Sequence, residues 1–433
     1  MSLSRVAVHS GLVLLAVVTV KDATTLPLVA PVALLALLAS IRNSNDDFDA
    51  IDMIWFLVSL FFVVRPAQAL QDGTITIYAG RAPFHYEPEV VLTAFAAIYV
   101  FTLALFVLLP HSGRPSKALE THPRVDLLLA AAATGFVLAV LSSGDLSNLL
   151  AARYDKEQIS PLVAVGQGLL IASTVMQTAV FVTGRRGAGE ALSLVACLVM
   201  LGIVFNPLNA SRFALISAWL PVALVLLPWL RRPAVFGSIS ITAIVVAMPV
   251  LSMTTRYGAD LQRAFSGREP GSLAELPYID AFDTLLHGVH YAQTFGFQLG
   301  GKVLAILLCF VPRALWPEKP TVGGLDVGNH LYSMGLVGTP NLSMPVAGDL
   351  YMDFGLGGVA AGSLAVALLL RSLLRAQPMV GDAPVFGYLV MAALPIAMRG
   401  ALGAVVLLGA CTLLSCAALA IAARSSQGPA VPA

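Results

Sequence analysis

Apolar runs close to the thickness of a bilayer recur along this chain, separated by short polar junctions. A helix needs about 20 apolar residues to cross the hydrocarbon core. Runs near that length lie at 5–20, 24–41, 52–65, 90–110, 125–142, 161–184, 190–206, 212–230, 236–253, 353–370, 383–398 and 400–423. They predict an all-α polytopic membrane protein with about 12 transmembrane helices. The first run follows Arg5 like a signal peptide, but a second apolar run follows at once with no clean small-residue cleavage site between them. It therefore reads as a retained signal-anchor helix. Three regions result: nine spans over 1–253, a large outer loop over 254–352, and three spans over 353–433.

Inside the loop, residues 303–312 are apolar but too short to cross, so they read as a re-entrant or interfacial segment. Ile279, Phe282, Leu286 and Val289 recur at helical spacing and predict an amphipathic helix lying on the outer face. Asp280 and Asp283 are expected on its solvated side.

Composition narrows the class. The 433 residues are 58% hydrophobic and only 11% charged. A soluble domain carries about 25% charged residues to cover its surface, so a cytosolic enzyme, a secreted domain and a disordered chain are excluded. The net charge of +1 and the lack of a basic tail argue against nucleic acid as a partner. The 4 cysteines, Cys197, Cys309, Cys411 and Cys416, lie in apolar stretches without a CxxC or a His/Cys ligand set. They read as buried thiols, with neither a zinc site nor a disulfide framework.

Lys and Arg in the short loops set the orientation. With the N-terminus inside, the inner segments hold more of these cations than the outer ones. The pairs Arg185-Arg186 and Arg231-Arg232 are the cleanest inner signals. The loop at 254–352 then faces outward.

Two segments of that loop carry candidate chemistry. PRALWPEKPTVGG runs from Pro312 to Gly324, and its three prolines forbid continuous helix. Arg313 and Lys319 bracket Trp316, a pattern that suits a lipid-linked phosphate and equally an interfacial anchor with snorkelling cations. SMPVAGDLYMDFGLGG runs from Ser343 to Gly358. Its Asp349 and Asp353 are four apart, at the mouth of a span, where a carboxylate is a site candidate or a helix cap. His330, in GNHLY, has a side chain suited to proton transfer. His287 and His290 are three apart, a spacing that permits metal binding only with a further ligand.

These two segments resemble the outer-loop pattern of bacterial oligosaccharide repeat-unit polymerases, the Wzy-type O-antigen and exopolysaccharide polymerases. The second segment in that family commonly reads Gly-Glu-x-Tyr-x-Asn-Phe-Gly. Here Asp349 stands for the Glu and Asp353 for the Asn, with Tyr351 at the Tyr position. Ser211-Arg212 at the start of an outward-facing span and Arg153 after the fifth span are similar to the family too. The resemblance implies a GT-C-like membrane glycosyltransferase. It would transfer a growing glycan from undecaprenyl pyrophosphate to a hydroxyl of a lipid-linked repeat unit, without nucleotide sugar, cofactor or metal. A separate chain-length regulator is an expected partner. Asp349 and His330 are the candidate catalytic groups. Arg153, Arg212, Arg256, Arg313, Trp316, Lys319, Tyr351 and Arg399 are the candidate substrate-binding residues, because preorganised cations suit a pyrophosphate leaving group.

Three other readings compete. An O-antigen ligase usually carries a His-Asn pair in its loop, where this chain has Asn329-His330 in reverse order. A metal-dependent transferase could use Asp46, Asp47, Asp49 and Asp52, which the orientation places inside. A lipid-glycan transporter fits the span number, but such proteins place acids or interrupted helices at the membrane midplane, and the pattern shows none clearly.

Overall fold

The structure is a computed structural model that describes residues 3–43, 45–77, 82–112, 117–144, 146, 161–184, 187–207, 210–244, 279–311, 315–338, 340, 342–400 and 402–425. The described residues are mostly helical, with two short two-stranded ladders. In chain order the helices are α1 Leu3–Val18, α2 Leu26–Arg42, α3 Ala50–Ala69, α4 Pro88–Leu108, α5 Val125–Ser142, α6 Pro161–Thr183, α7 Ala188–Val204, α8 Arg212–Leu226 and α9 Pro233–Thr242. They continue as α10 Ala281–Phe295, α11 Gly301–Leu307, α12 Gly323–Ser333, α13 Val346–Arg375, α14 Val385–Arg399 and α15 Leu402–Ser425. Strands β1 Thr74–Ile75 and β2 Phe84–His85 pair antiparallel, and β3 Lys117–Glu120 pairs in parallel with β4 Ala376–Met379.

Among the described residues, 7 helices are long and apolar enough to cross a membrane. That is the architecture of a polytopic membrane protein. The other apolar runs form helices of 10–17 residues: α1, α7, α9, α14 and, within α8, Phe213–Leu226. Leucine and valine side chains stand exposed along α2, α4, α5, α7 and α13, as expected where hydrocarbon rather than water is the neighbour.

Helix α3 is the axis of the bundle, and its apolar window is wholly buried. Asp49 and Asp52 open it with a reciprocal capping box. Near the other end it widens into a π-turn at Leu60–Val64, where the Arg65 N–H reaches back to the Leu60 carbonyl. Pro66 follows directly; a proline has no N–H to continue an α-helical ladder. Around α3 pack α1, α2, α10 and α14. A second layer joins α5, α6 and α15, and α13 lies along α4.

Helix α13 is broken at Phe354 and Gly355: Asp349 and Asp353 lie on a short first segment that starts at Val346, and the long apolar segment follows the break. Two expectations need correction. Residues 281–295 do form the expected helix, but α10 does not lie on an outer face. It is packed against α3, α4, α12 and α13. Asp280 and Asp283 are accordingly buried, not solvated. The periodicity identified the apolar face correctly, and the polar face found partners inside the protein.

Helix ends and junctions sort to two poles. One holds residues 45–49, Arg231 and the β3–β4 ladder. Here Arg5 donates to Asp52 and to the carbonyls of Asn45 and Asp47, and the Phe48 N–H donates to the Arg231 carbonyl. The opposite pole holds Arg65, the β1–β2 ladder, α10, α12 and the first turns of α13.

Candidate functional site

The polar face of α10 organises this second pole. Asp280, Asp283, His287 and His290 follow at intervals of three, four and three, which puts them in one stripe. Successive members meet different elements. Asp280 accepts from Arg399 at the end of α14, at 2.8 Å from Nε and 3.1 Å from Nη2. Asp283 accepts from Arg65 of α3 at 2.9 and 2.5 Å. His287 Nδ1 lies 3.1 Å from the Tyr86 hydroxyl.

Burying such charges is costly unless each is paired and bidentate. Both pairs meet that condition. Burial pushes the Asp283 carboxyl up, while Arg65 pulls it back down. Arg399 also lies over the Phe213 ring of α8, 4.8 Å from its centre.

The stripe ends in a group of imidazoles. His330, carried on α12, stacks on His287 with ring centres 5.5 Å apart, and His290 lies 5.4 Å from His287. Phe84, Tyr86, Tyr291 and Phe295 close around them. Burial pushes His287 down from 6.5 to about 3, with His290 and His330 adding to the effect. Burial also lowers His290 and His330. The imidazoles are therefore held neutral, and a neutral ring keeps a lone pair that can take a proton. Buried His287 Nε2 has no hydrogen-bond partner among the described residues. No group of three or more His, Cys, Asp or Glu among the described residues is arranged to hold a metal ion.

Asp349 and Asp353 work one layer below, each at the N-terminus of a neighbouring helix. Asp349 Oδ1 accepts from the Gly323 N–H of α12 at 2.8 Å. Asp353 accepts from the Lys302 and Val303 N–H groups of α11 at 2.9 and 2.7 Å. A carboxylate there satisfies orphan donors and complements the helix dipole. Lys302, itself buried, pairs with Asp326. Asp349 thus fixes the helix that carries His330. Its other oxygen, Oδ2, is buried and has no partner among the described residues.

Of the residues expected from sequence, Arg399, His330, Asp349 and Tyr351 lie at this pole. Tyr351, two residues after Asp349, is buried edge-on to Phe297 with ring centres 6.0 Å apart. Lys319 Nζ donates to the carbonyls of Cys309 and Val311 at 3.0 and 3.1 Å, beyond the end of α11. Trp316 is half-buried, and its carbonyl accepts from the Lys319 N–H. Arg212 opens α8, whose first turn is capped by Ser211. Arg153, Arg256 and Arg313 lie outside the described residues.

Sequence reading missed Arg65, Lys302 and Tyr86. Arg65 ends an apolar run, where a cation reads as an ordinary short-loop charge. The spacing of Asp280, Asp283, His287 and His290 was the available signal that α10 carries a polar face needing partners.

An apolar cleft of about 710 Å³ runs beside this pole, between α3, α7, α8 and α9. Phe56, Phe61, Phe205, Trp219 and Phe236 line its length. Phe213, Ile279 and Pro395 also line it. These residues adjoin the Arg399–Asp280 pair: Phe213 touches Arg399, Ile279 precedes Asp280, and Pro395 lies one turn before Arg399.

Compared with protein-family models, with curated proteins and with solved structures, the chain matches none.

Proposed function

We propose that this protein is a membrane glycosyltransferase of the repeat-unit polymerase type, working on undecaprenyl-pyrophosphate-linked glycans at the outer face of a bacterial inner membrane. The observation that carries the reading is the apolar cleft whose lining residue Phe213 lies under Arg399. A polyprenyl lipid needs a long apolar seat that adjoins a cation for its pyrophosphate. Arg399 uses two of its five N–H donors on Asp280, and a guanidinium can direct the others at phosphate oxygens.

In the reaction an acceptor hydroxyl attacks the anomeric carbon of the donor sugar. The bond from that carbon to the pyrophosphate oxygen breaks, and the lipid pyrophosphate leaves with the electron pair. The hydroxyl proton goes to a base. His330 takes that role, since its ring is neutral and only partly buried. Asp349 is then a positioning residue, acting through the N-terminus of α12.

The test is lengthening of lipid-linked repeat units by protein purified in detergent, with no gradient. Arg399→Ala should cut polymer yield by about a hundredfold, the usual effect of removing one transition-state donor. His330→Ala should remove the acid limb of the rate profile, and Asp349→Asn should spare more activity than Asp349→Ala. Unchanged polymer in Arg399→Ala and His330→Ala would overturn the site.

A second reading, a lipid-glycan transporter, gains from two observations. Helix α13 is broken at Phe354 and Gly355, and carboxylates lie buried within the bundle. Interrupted helices and intramembrane acids mark transport sites. A transporter would leave chain length unchanged in the same assay.

A further inference from the structure

At the opposite pole lies a second cavity, of about 330 Å³, at the small end of the range for small-molecule sites. It is bounded by the start of α3, Arg231, the end of β4 and the start of α14. Its polar lining is Asn45, Asp47, Asp49, Arg231, Asp382 and Tyr388, together with the Gln377 side chain.

Two of these groups point to a ligand. Asn45 is 5% exposed. Its Nδ2 donates to Asp49 at 2.7 Å and its backbone N–H to Asn43 at 3.1 Å. Its Oδ1 has no partner among the described residues. Exchanging the amide oxygen and nitrogen would set an oxygen against the Asp49 carboxylate, so the orientation is fixed by chemistry. Arg231 Nη1 donates to the Tyr388 hydroxyl at 2.9 Å, and Asp47 lies 4.0 Å away. Its buried Nε has no acceptor among the described residues. The residues lining the cavity thus include a donor lacking an acceptor and an acceptor lacking a donor, and leaving either group unmet is costly.

The charges select the ligand further. Asp49 is committed to capping α3. Asp47 and Asp382 are exposed carboxylates on the cavity wall. A simple anion would be repelled by both, and a simple cation would leave Arg231 unanswered. A zwitterion with separated charges meets each group. Arg231 and Arg232 directly precede the apolar helix α9, at the depth where lipid phosphates lie.

We propose that this cavity binds a phosphoethanolamine-type zwitterion. Its phosphodiester accepts from Arg231 Nε. Its primary ammonium donates to Asn45 Oδ1, with Asp47 and Asp382 as countercharge. The proposal does not depend on the glycan reading.

The test uses full-length protein in detergent, with binding measured by native mass spectrometry and thermal shift. The probes are phosphatidylethanolamine, phosphatidylcholine, phosphatidylglycerol and soluble glycerophosphoethanolamine. Phosphatidylcholine has no ammonium N–H, and phosphatidylglycerol has no ammonium. The ethanolamine lipid should bind about tenfold or more tighter than either, equivalent to about 1.4 kcal/mol. Arg231→Gln, at the phosphate common to the three lipids, should weaken all of them alike, and Asp382→Asn, at the ammonium end, should abolish the preference over phosphatidylglycerol. Asp382 is exposed, so its variant tests the site with the fold intact. Tight binding of glycerophosphoethanolamine identifies a soluble source, and binding of the lipid alone identifies a membrane one. Equal affinity for the three lipids, binding of none of the probes, or an unchanged preference in folded Asp382→Asn protein overturns the proposal.

Discussion

Arg65 and Asp283 show how much a single buried pair commits. They are 218 residues apart in sequence and almost fully removed from solvent. Removing one partner strands the other charge, which costs about 3–5 kcal/mol. Arg65→Ala should therefore lower the thermal midpoint in detergent sharply. The apolar double variant Arg65→Met/Asp283→Leu should recover much of the loss. A cycle in which the double variant is as unstable as the sum of the singles would show that the pair does not act as a unit.

His287 makes a separate prediction about pH. Its folded pKa of about 3 lies below the unfolded value of 6.5. Between those values the unfolded chain binds more protons, so stability rises with pH across the window. The contribution is complete above about 6.5 and is lost as pH falls toward 3. The thermal midpoint of the wild type should drop on acidification through that window, and that of His287→Gln should drop less. The sequence showed which residues could titrate, but burial decided in which direction.

At the scale of elements, α5 and α6 approach until glycine backbones touch. A Cβ on Gly135 would lie 2.7 Å from the Gly166 carbonyl oxygen, and a Cβ on Gly166 would lie 2.7 Å from that of Gly135. Close backbone approach at small residues is how membrane helices gain packing without a hydrophobic driving force. Gly135→Leu or Gly166→Leu should cost about 1–3 kcal/mol through overpacking, read as a lowered thermal midpoint. Gly11→Leu on α1 is the control, since a Cβ there meets nothing nearby. Equal midpoints for all three would remove the role assigned to this crossing. The helices themselves were legible in the hydropathy pattern. Their contact was not, because a glycine in an apolar run carries no sign of what faces it.

Among the described residues, the alternation of helices puts residues 45–49, Arg231 and 376–384 at one pole and β1–β2, α10 and α12 at the other. A cysteine at Asp382 and one at Ser333 should therefore react with a membrane-impermeant thiol reagent from opposite sides of intact cells. The Lys and Arg distribution predicts that Ser333→Cys is the one reached from outside. Labelling of both from one side would overturn the topology.

The sequence by itself determined that this protein lives in a bilayer, where its apolar runs lie, and which few polar segments could hold chemistry. Those follow from composition and local periodicity. Only the tertiary structure decided that α10 is interior, that Asp280 and Asp283 belong to Arg399 and Arg65, and that Asp349 holds the helix bearing His330. The reason is distance along the chain. Desolvation makes each buried charge seek a partner, but nothing local in a sequence says which residue, a hundred or more positions away, the fold will bring to it.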